Sequence, residues 1–85
     1  MSDNTSICPA VSLDVTGLRC PLPVLKARKA LDGLAPGALL EVLTCDPGAA
    51  DDFAAFCRMT GHRLVAQSAA SEGQRFLIQK AESRD

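Results

Sequence analysis

No part of this 85-residue chain approaches the run of about twenty apolar residues that a membrane-spanning helix needs, so a helical membrane protein is not expected. Met1 to Pro9 contains Asp3 and Asn4 and lacks both a basic and an apolar region, so no export signal is expected and the cytoplasm is the expected location. Excess charge of one sign is also missing: nine Lys and Arg stand against ten Asp and Glu, for a net charge of -1. That balance argues against a main role in holding nucleic acid or an anionic membrane. The four cysteines, Cys8, Cys20, Cys45 and Cys57, contain no Cys-x-x-Cys pair, and the single histidine, His62, has no second pair with which to complete a zinc site. No metal is expected, and in a reducing compartment the cysteines are expected as thiols. A Ser/His/Asp arrangement, a phosphate-cradling glycine loop and paired carboxylates at an acid/base spacing are absent as well. The chain lacks equipment for self-contained catalysis on a small molecule, and no cofactor is expected.

What is present is a compact amphipathic pattern. A chain of this length makes one small domain that buries a little over about 60% of its unfolded surface, and 47% hydrophobic residues suffice for a folded core. Tails are expected at residues 1–9 and 82–85 around a domain at 10–81. Val11, Leu13 and Val15 alternate with Ser12, Asp14 and Thr16, the pattern of a strand with one buried face, ended by Gly17. A helix from Pro21 to about Leu34 puts Val24, Ala27, Leu31 and Leu34 on one stripe, closed by Gly33 and Pro36-Gly37. Ala38 to Thr44 reads as a central strand. A second helix starts at Asp46-Pro47 or near Asp51, carries Phe53, Phe56 and Cys57 on its core side, and ends at Gly61. Arg63 to Ala69 and Gln74 to Lys80 form a hairpin around a turn containing Gly73. The order β-α-β-α-β-β gives an α/β (α+β) two-layer sandwich: a four-stranded mixed sheet with two helices on one face and a parallel first pair.

The chemistry concentrates at Gly17-Leu18-Arg19-Cys20-Pro21-Leu22-Pro23. A proline suits the first helical position because its φ is already helical and its missing N–H would be unpaired anyway. Cys20 is therefore expected as the N-cap. With Pro21 and Pro23 lacking donors, the Leu22 N–H is the main donor of that turn, aimed at the Cys20 thiolate at the positive end of the helix dipole. Arg19 precedes the cysteine, Lys26, Arg28 and Lys29 follow it, and no acidic residue lies between Gly17 and Leu31. These are the conditions that lower a thiol from its free pKa of about 8.5 toward reactivity.

Gly17-Leu18-Arg19-Cys20-Pro21-Leu22-Pro23, Asp46-Pro47 followed by Asp52-Phe53, and Gly61-His62 together resemble the TusA family of sulfur-carrier proteins, also called SirA-like, over about Leu13 to Lys80. The family signature is Cys-Pro-x-Pro, and only Cys20 fits it. Leu22 stands where some members carry an acidic residue, and Cys45 stands where a residue without a thiol is expected. The resemblance implies a persulfide on Cys20, received from a donor protein of the cysteine desulfurase or rhodanese-like kind and passed to an acceptor protein thiol. It implies a sulfurtransferase acting as a relay, a monomer that touches neither nucleic acid nor membrane. The pathway, whether tRNA thiolation, molybdenum-cofactor assembly, sulfur oxidation or selenium transfer, stays open.

Further residues have two readings. Arg28 and Lys29, with Lys26, are either a partner-docking surface or an ordinary solvated face. Cys45, beside Asp46 at the end of strand two, shares a sheet edge with Cys20 in a parallel crossover and is either a second thiol or a small residue finishing a buried strand. A Cys20/Cys45 redox switch and an adaptor module with an incidental thiol are the alternatives to the carrier reading.

Overall fold

The computed structural model describes residues 9–19, 21–70 and 73–81, so Cys8, Cys20, most of the first expected tail and all of the second lie outside the described residues. The elements are β1 (Val11–Asp14), α1 (Leu22–Asp32), β2 (Leu39–Thr44), α2 (Ala49–Thr60), β3 (Arg63–Ala70) and β4 (Gly73–Gln79), in the expected order. The sheet runs β1-β2-β4-β3. β1 and β2 are parallel, whereas β4 lies antiparallel to both β2 and β3.

Alternation decides which face of the sheet is covered. Leu40, Val42 and Thr44 of β2 are buried while Leu39, Glu41 and Leu43 are partly exposed, and the register sets Ile78 and Phe76 of β4 opposite Leu40 and Val42. These side chains meet Ala27 and Leu31 of α1 and Ala49, Phe53, Phe56 and Cys57 of α2 in one core. Both helices therefore cover the same face. The rings of Phe53 and Phe76 lie 5.1 Å apart at 37°, a tilted contact across the helix–sheet interface. On the other face the Arg75 guanidinium meets the Glu41 carboxylate at 3.2 Å, and Ser12 Oγ donates to the same carboxylate.

The buried row of α1 is Pro23, Ala27 and Leu31, spaced by four, with Val24 and Leu34 packed at its margin. The expected stripe is thus rotated slightly, because Pro23 turns inward. At the far end of α1, Lys80 Nζ donates to the Leu31 carbonyl at 2.6 Å, placing a cation where the helix dipole is negative. α2 starts at Ala49, between the two expected starts, with Gly48 as N-cap and no side-chain cap. Asp46 instead builds the preceding turn: its carboxylate accepts the Gly48 N–H at 3.2 Å and its carbonyl the Ala49 N–H at 3.0 Å. Gly61 ends α2 in the left-handed region, φ +87°, donating to the Cys57 carbonyl. Cys57 is buried as expected, and desolvation pushes its thiol pKa up.

His62 Nδ1 accepts the Ala81 N–H at 2.9 Å, a bond that requires this nitrogen unprotonated, and its ring packs on Phe56. Desolvation first, then the Lys80 charge, lowers its pKa below the ordinary 6.5, against a smaller opposing effect of Asp32. The unfolded chain then takes up a proton at a higher pH than the native one, so this contribution is complete above pH 6.5 and is lost as the pH falls below it. Urea midpoints measured from pH 8 to pH 5 are expected to drop more in this protein than in His62→Gln. Parallel curves would remove His62 as the cause.

Candidate functional site

Parallel pairing carries the ends of β1 and β2 to one edge of the sheet, where the Val15 N–H donates to the Leu43 carbonyl at 2.8 Å. Two loops leave from that edge. In the first, the Asp14 carboxylate accepts the Thr16 N–H at 3.0 Å and its hydroxyl at 2.8 Å, and these bonds lower the Asp14 pKa. The Leu18 N–H then closes a turn on the Val15 carbonyl at 3.0 Å. In the second, buried Thr44 accepts the Asp46 N–H on its hydroxyl at 3.1 Å. Between the loops lies an open cleft of about 600 Å³, lined by Thr16, Gly17, Leu18 and Arg19 on one side and Cys45, Asp46 and Pro47 on the other.

The structure therefore brings Arg19, Cys45 and Asp46 to one cleft. Cys45 directly follows the last residue of β2 and is exposed. Cys20 lies outside the described residues, but its covalent neighbours Arg19 and Pro21 are both placed, and both are exposed. The start of α1 differs from expectation. Pro21, not Cys20, is the N-cap, Leu22 is the first helical residue and Pro23 the second, and among the described residues no side chain caps the end. The Leu22 N–H, expected to face the thiolate, donates to the Arg19 carbonyl at 2.8 Å, and the Leu25 N–H donates to Pro21 at 3.1 Å. The turn closes one residue earlier, onto Arg19, because Pro21 cannot donate and its carbonyl already receives the first helical bond.

Lys26, Arg28 and Lys29 are all exposed on α1, so the basic surface exists as expected. Sequence reasoning missed its apolar partners. Leu22 is 45% and Leu25 52% exposed, three residues apart and hence neighbours on the helix surface, with Lys26 and Lys29 each one turn further on. The available signal was that Leu22 and Leu25 fall outside the buried row. Gly73 was also read as part of a turn, yet it begins β4 at φ +133°, pressed against Thr44 and Cys45. Among the described residues, no three His, Cys, Asp or Glu side chains stand together as a metal site requires, and no helix is long and apolar enough to cross a membrane.

Comparison with known proteins points one way. The family model described as "Sulfurtransferase TusA" matches residues 11–80. The "Sulfur carrier protein TusA" of Allochromatium vinosum is 42% identical over 69 residues, 81% of this chain and 91% of that protein. The "Putative sulfur carrier protein" of Neisseria meningitidis serogroup A is 59% identical over 54 residues, 64% of this chain and 73% of its own. The crystal structure of a SirA-like protein from Desulfitobacterium hafniense superposes with a TM-score of 0.71 at 23% identity, covering 86% of this chain and 99% of that one, which shows the shared fold.

Proposed function

Since this chain belongs to the TusA family and is a sulfur carrier, we propose that Cys20 is the residue on which the sulfur travels. Its thiolate attacks the terminal sulfur of a donor persulfide, forming a new S–S bond as the donor's thiolate leaves. An acceptor thiolate then attacks that same terminal sulfur, and the Cys20 thiolate leaves in turn. No net oxidant is consumed, so the protein acts as a sulfurtransferase of the relay kind and needs no resident cofactor. The positive end of α1 and the exposed Arg19 and Lys26 favour the anion at each stage, with Pro21 and Pro23 fixing the helix start. The donor is a cysteine desulfurase or rhodanese-like protein, the acceptor a protein thiol, and the carrier works as a cytoplasmic monomer.

What supports this reading is the sequence position of Cys20, directly after the cleft residue Arg19 and directly before a proline-started helix whose exposed surface is wholly basic and apolar through Lys29. Its test is intact mass after incubation with a persulfide donor. The chain gains one sulfur, and peptide mapping puts it on Cys20; a sulfur found elsewhere, or none, removes the reading.

Leu22 and Leu25 beside Lys26, Arg28 and Lys29 suit a partner surface with an apolar centre and an acidic rim, because complementary charge acts chiefly on the rate of encounter. Charge reversal at Lys26 and Lys29 together is expected to slow sulfur acceptance by about tenfold at low salt, an effect that added salt erodes. Stopped-flow transfer that is unchanged in the double variant and indifferent to salt would remove this docking surface.

A further inference from the structure

β3 ends the sheet on one side, and among the described residues β4 is its only strand partner, so a row of N–H and C=O groups along its outer edge faces outward. We infer that this edge pairs with the same edge of a second copy of the chain, antiparallel and about a two-fold axis at Gln67.

The two edges of the sheet are not alike. β1 is four residues long and carries Asp14, and short length and charge are ordinary ways of protecting an edge. β3 has eight residues, more than any other strand, and its one charged residue is Arg63 at the start. Its register with β4 shifts between Leu64 and Ala66, a bulge that guards the beginning, and then runs regularly from Ala66 to Ala70. Every residue from Val65 to Ala69 is exposed, so α2 leaves this stretch bare on both faces as well as along its edge. Alanine, glutamine and serine carry no charge that would repel a neighbouring strand, and none is a proline that would refuse it.

Symmetry and charge select the second copy. In a strand paired antiparallel with itself, only residues on the same face can stand opposite, so one residue must meet its own counterpart. Centring on Gln67 joins two side-chain amides that can each donate and accept. It also sets Val65, 43% exposed, against Ala69 of the other copy, and Ala66 against Ser68. Branched side chain meets small one. The two Arg63 charges fall at opposite ends of the seam, whereas parallel pairing would bring them side by side.

The seam leaves the carrier machinery open. α1 packs on β2 and α2 on β3, and β2 is two strand spacings, about 10 Å, inside β3. The cleft and the basic surface of α1 therefore stay accessible in both copies, and each chain passes sulfur singly. One strand pair is well below the roughly 1,600 Å² that a stable interface buries, so the expected dissociation constant is about 0.1–1 mM and the dilute carrier is a monomer.

The experiment is sedimentation equilibrium of the full chain from about 10 μM to about 2 mM with a reductant present, paired with amide hydrogen exchange at both ends of that range. The wild-type protein is expected to pass from monomer to dimer, with amides of Val65 to Ala70 slowed at the high concentration. Gln67→Lys places like charges directly opposite, and Ala69→Lys crowds Val65; each is expected to weaken the pair at least about tenfold without changing the circular dichroism melt. Charge reversal at Lys26 and Lys29 is expected to leave the association as it is. A chain that stays monomeric throughout, a dimer unaffected by both β3 variants, or protection that appears on another element and not on β3 overturns the proposal, and none of these outcomes touches the carrier reading.

Discussion

Replacement of Cys20 by serine is expected to abolish sulfur acceptance while leaving the fold in place. The fold is expected to be spared because the N-cap of α1 is Pro21, whose carbonyl takes the first helical bond from Leu25, and serine is well suited to a helix N-terminus. Acceptance is lost because serine offers no thiolate, and the remaining thiols do not replace it. Cys57 is in the core, and burial keeps its thiol protonated. Cys45 is exposed but leads into Asp46 and a helix whose first turn carries Asp51 and Asp52, surroundings that draw no anionic persulfide donor. Intact mass soon after mixing with a persulfide donor should show one added sulfur on wild type and on the single serine variants at Cys8, Cys45 and Cys57, and none on Cys20→Ser. Circular dichroism melts of wild type and Cys20→Ser should coincide within about 0.5 kcal/mol. A Cys20→Ser protein that still gains sulfur would falsify the assignment outright.

The second large effect is on stability, and it sits at a residue with no side chain. Gly73→Ala is expected to destabilise the protein by about 3 kcal/mol, because the new Cβ would meet the Thr44 carbonyl oxygen at 2.3 Å and the backbone there has φ +133°, where alanine is strained. Both obstacles are backbone, which cannot swing aside. An 85-residue domain has roughly 4–13 kcal/mol of total stability, so the melting temperature should fall by more than about 10 °C. Gly17→Ala is the control, since nothing lies within 4 Å of its Cβ position. Equal melting temperatures for the two variants would show that β4 can move away from Thr44 without cost.

These residues also mark where the sequence stops being informative. The alternation of Leu13 and Val15, the apolar run through Leu43 and the helical spacing of Phe53, Phe56 and Cys57 report which side of each element meets water, and they suffice to order six elements and put both helices on one face, although Val11, expected on the buried face of β1, is exposed at the open start of that edge strand. They miss by small amounts where a local bond competes with a pattern. Pro21 became the cap instead of Cys20 because its carbonyl takes the first helical bond from Leu25, and the Leu22 N–H then turned to Arg19. Asp46 closed a turn with Gly48 rather than capping α2. The cleft shared by Arg19 and Cys45 was legible from the parallel crossover alone, since that topology fixes which strand ends are neighbours. Gly73 was not legible, because its importance lies in Thr44 and Cys45, which meet it only once β4 has paired with β2. The exposure of Leu22 and Leu25 was half-legible: they lie off the buried row, but periodicity cannot tell a bare leucine from one covered by a loop.

The sheet order has a consequence for how the molecule comes into being. β4, the last of the described strands in chain order, sits between β2 and β3 and is the only described partner of β3. It delivers Phe76 and Ile78, both fully enclosed, to the centre of the core. A nascent chain that has emerged through residue 72 already holds the complete Cys20 segment, α1 and the Cys45 loop, but the strand that joins the two halves of its sheet is missing. Pairing segments this distant in sequence is slow and unrewarded until the final contacts form. The first loop of the cleft, which carries Arg19, is therefore made before the strand that completes its sheet.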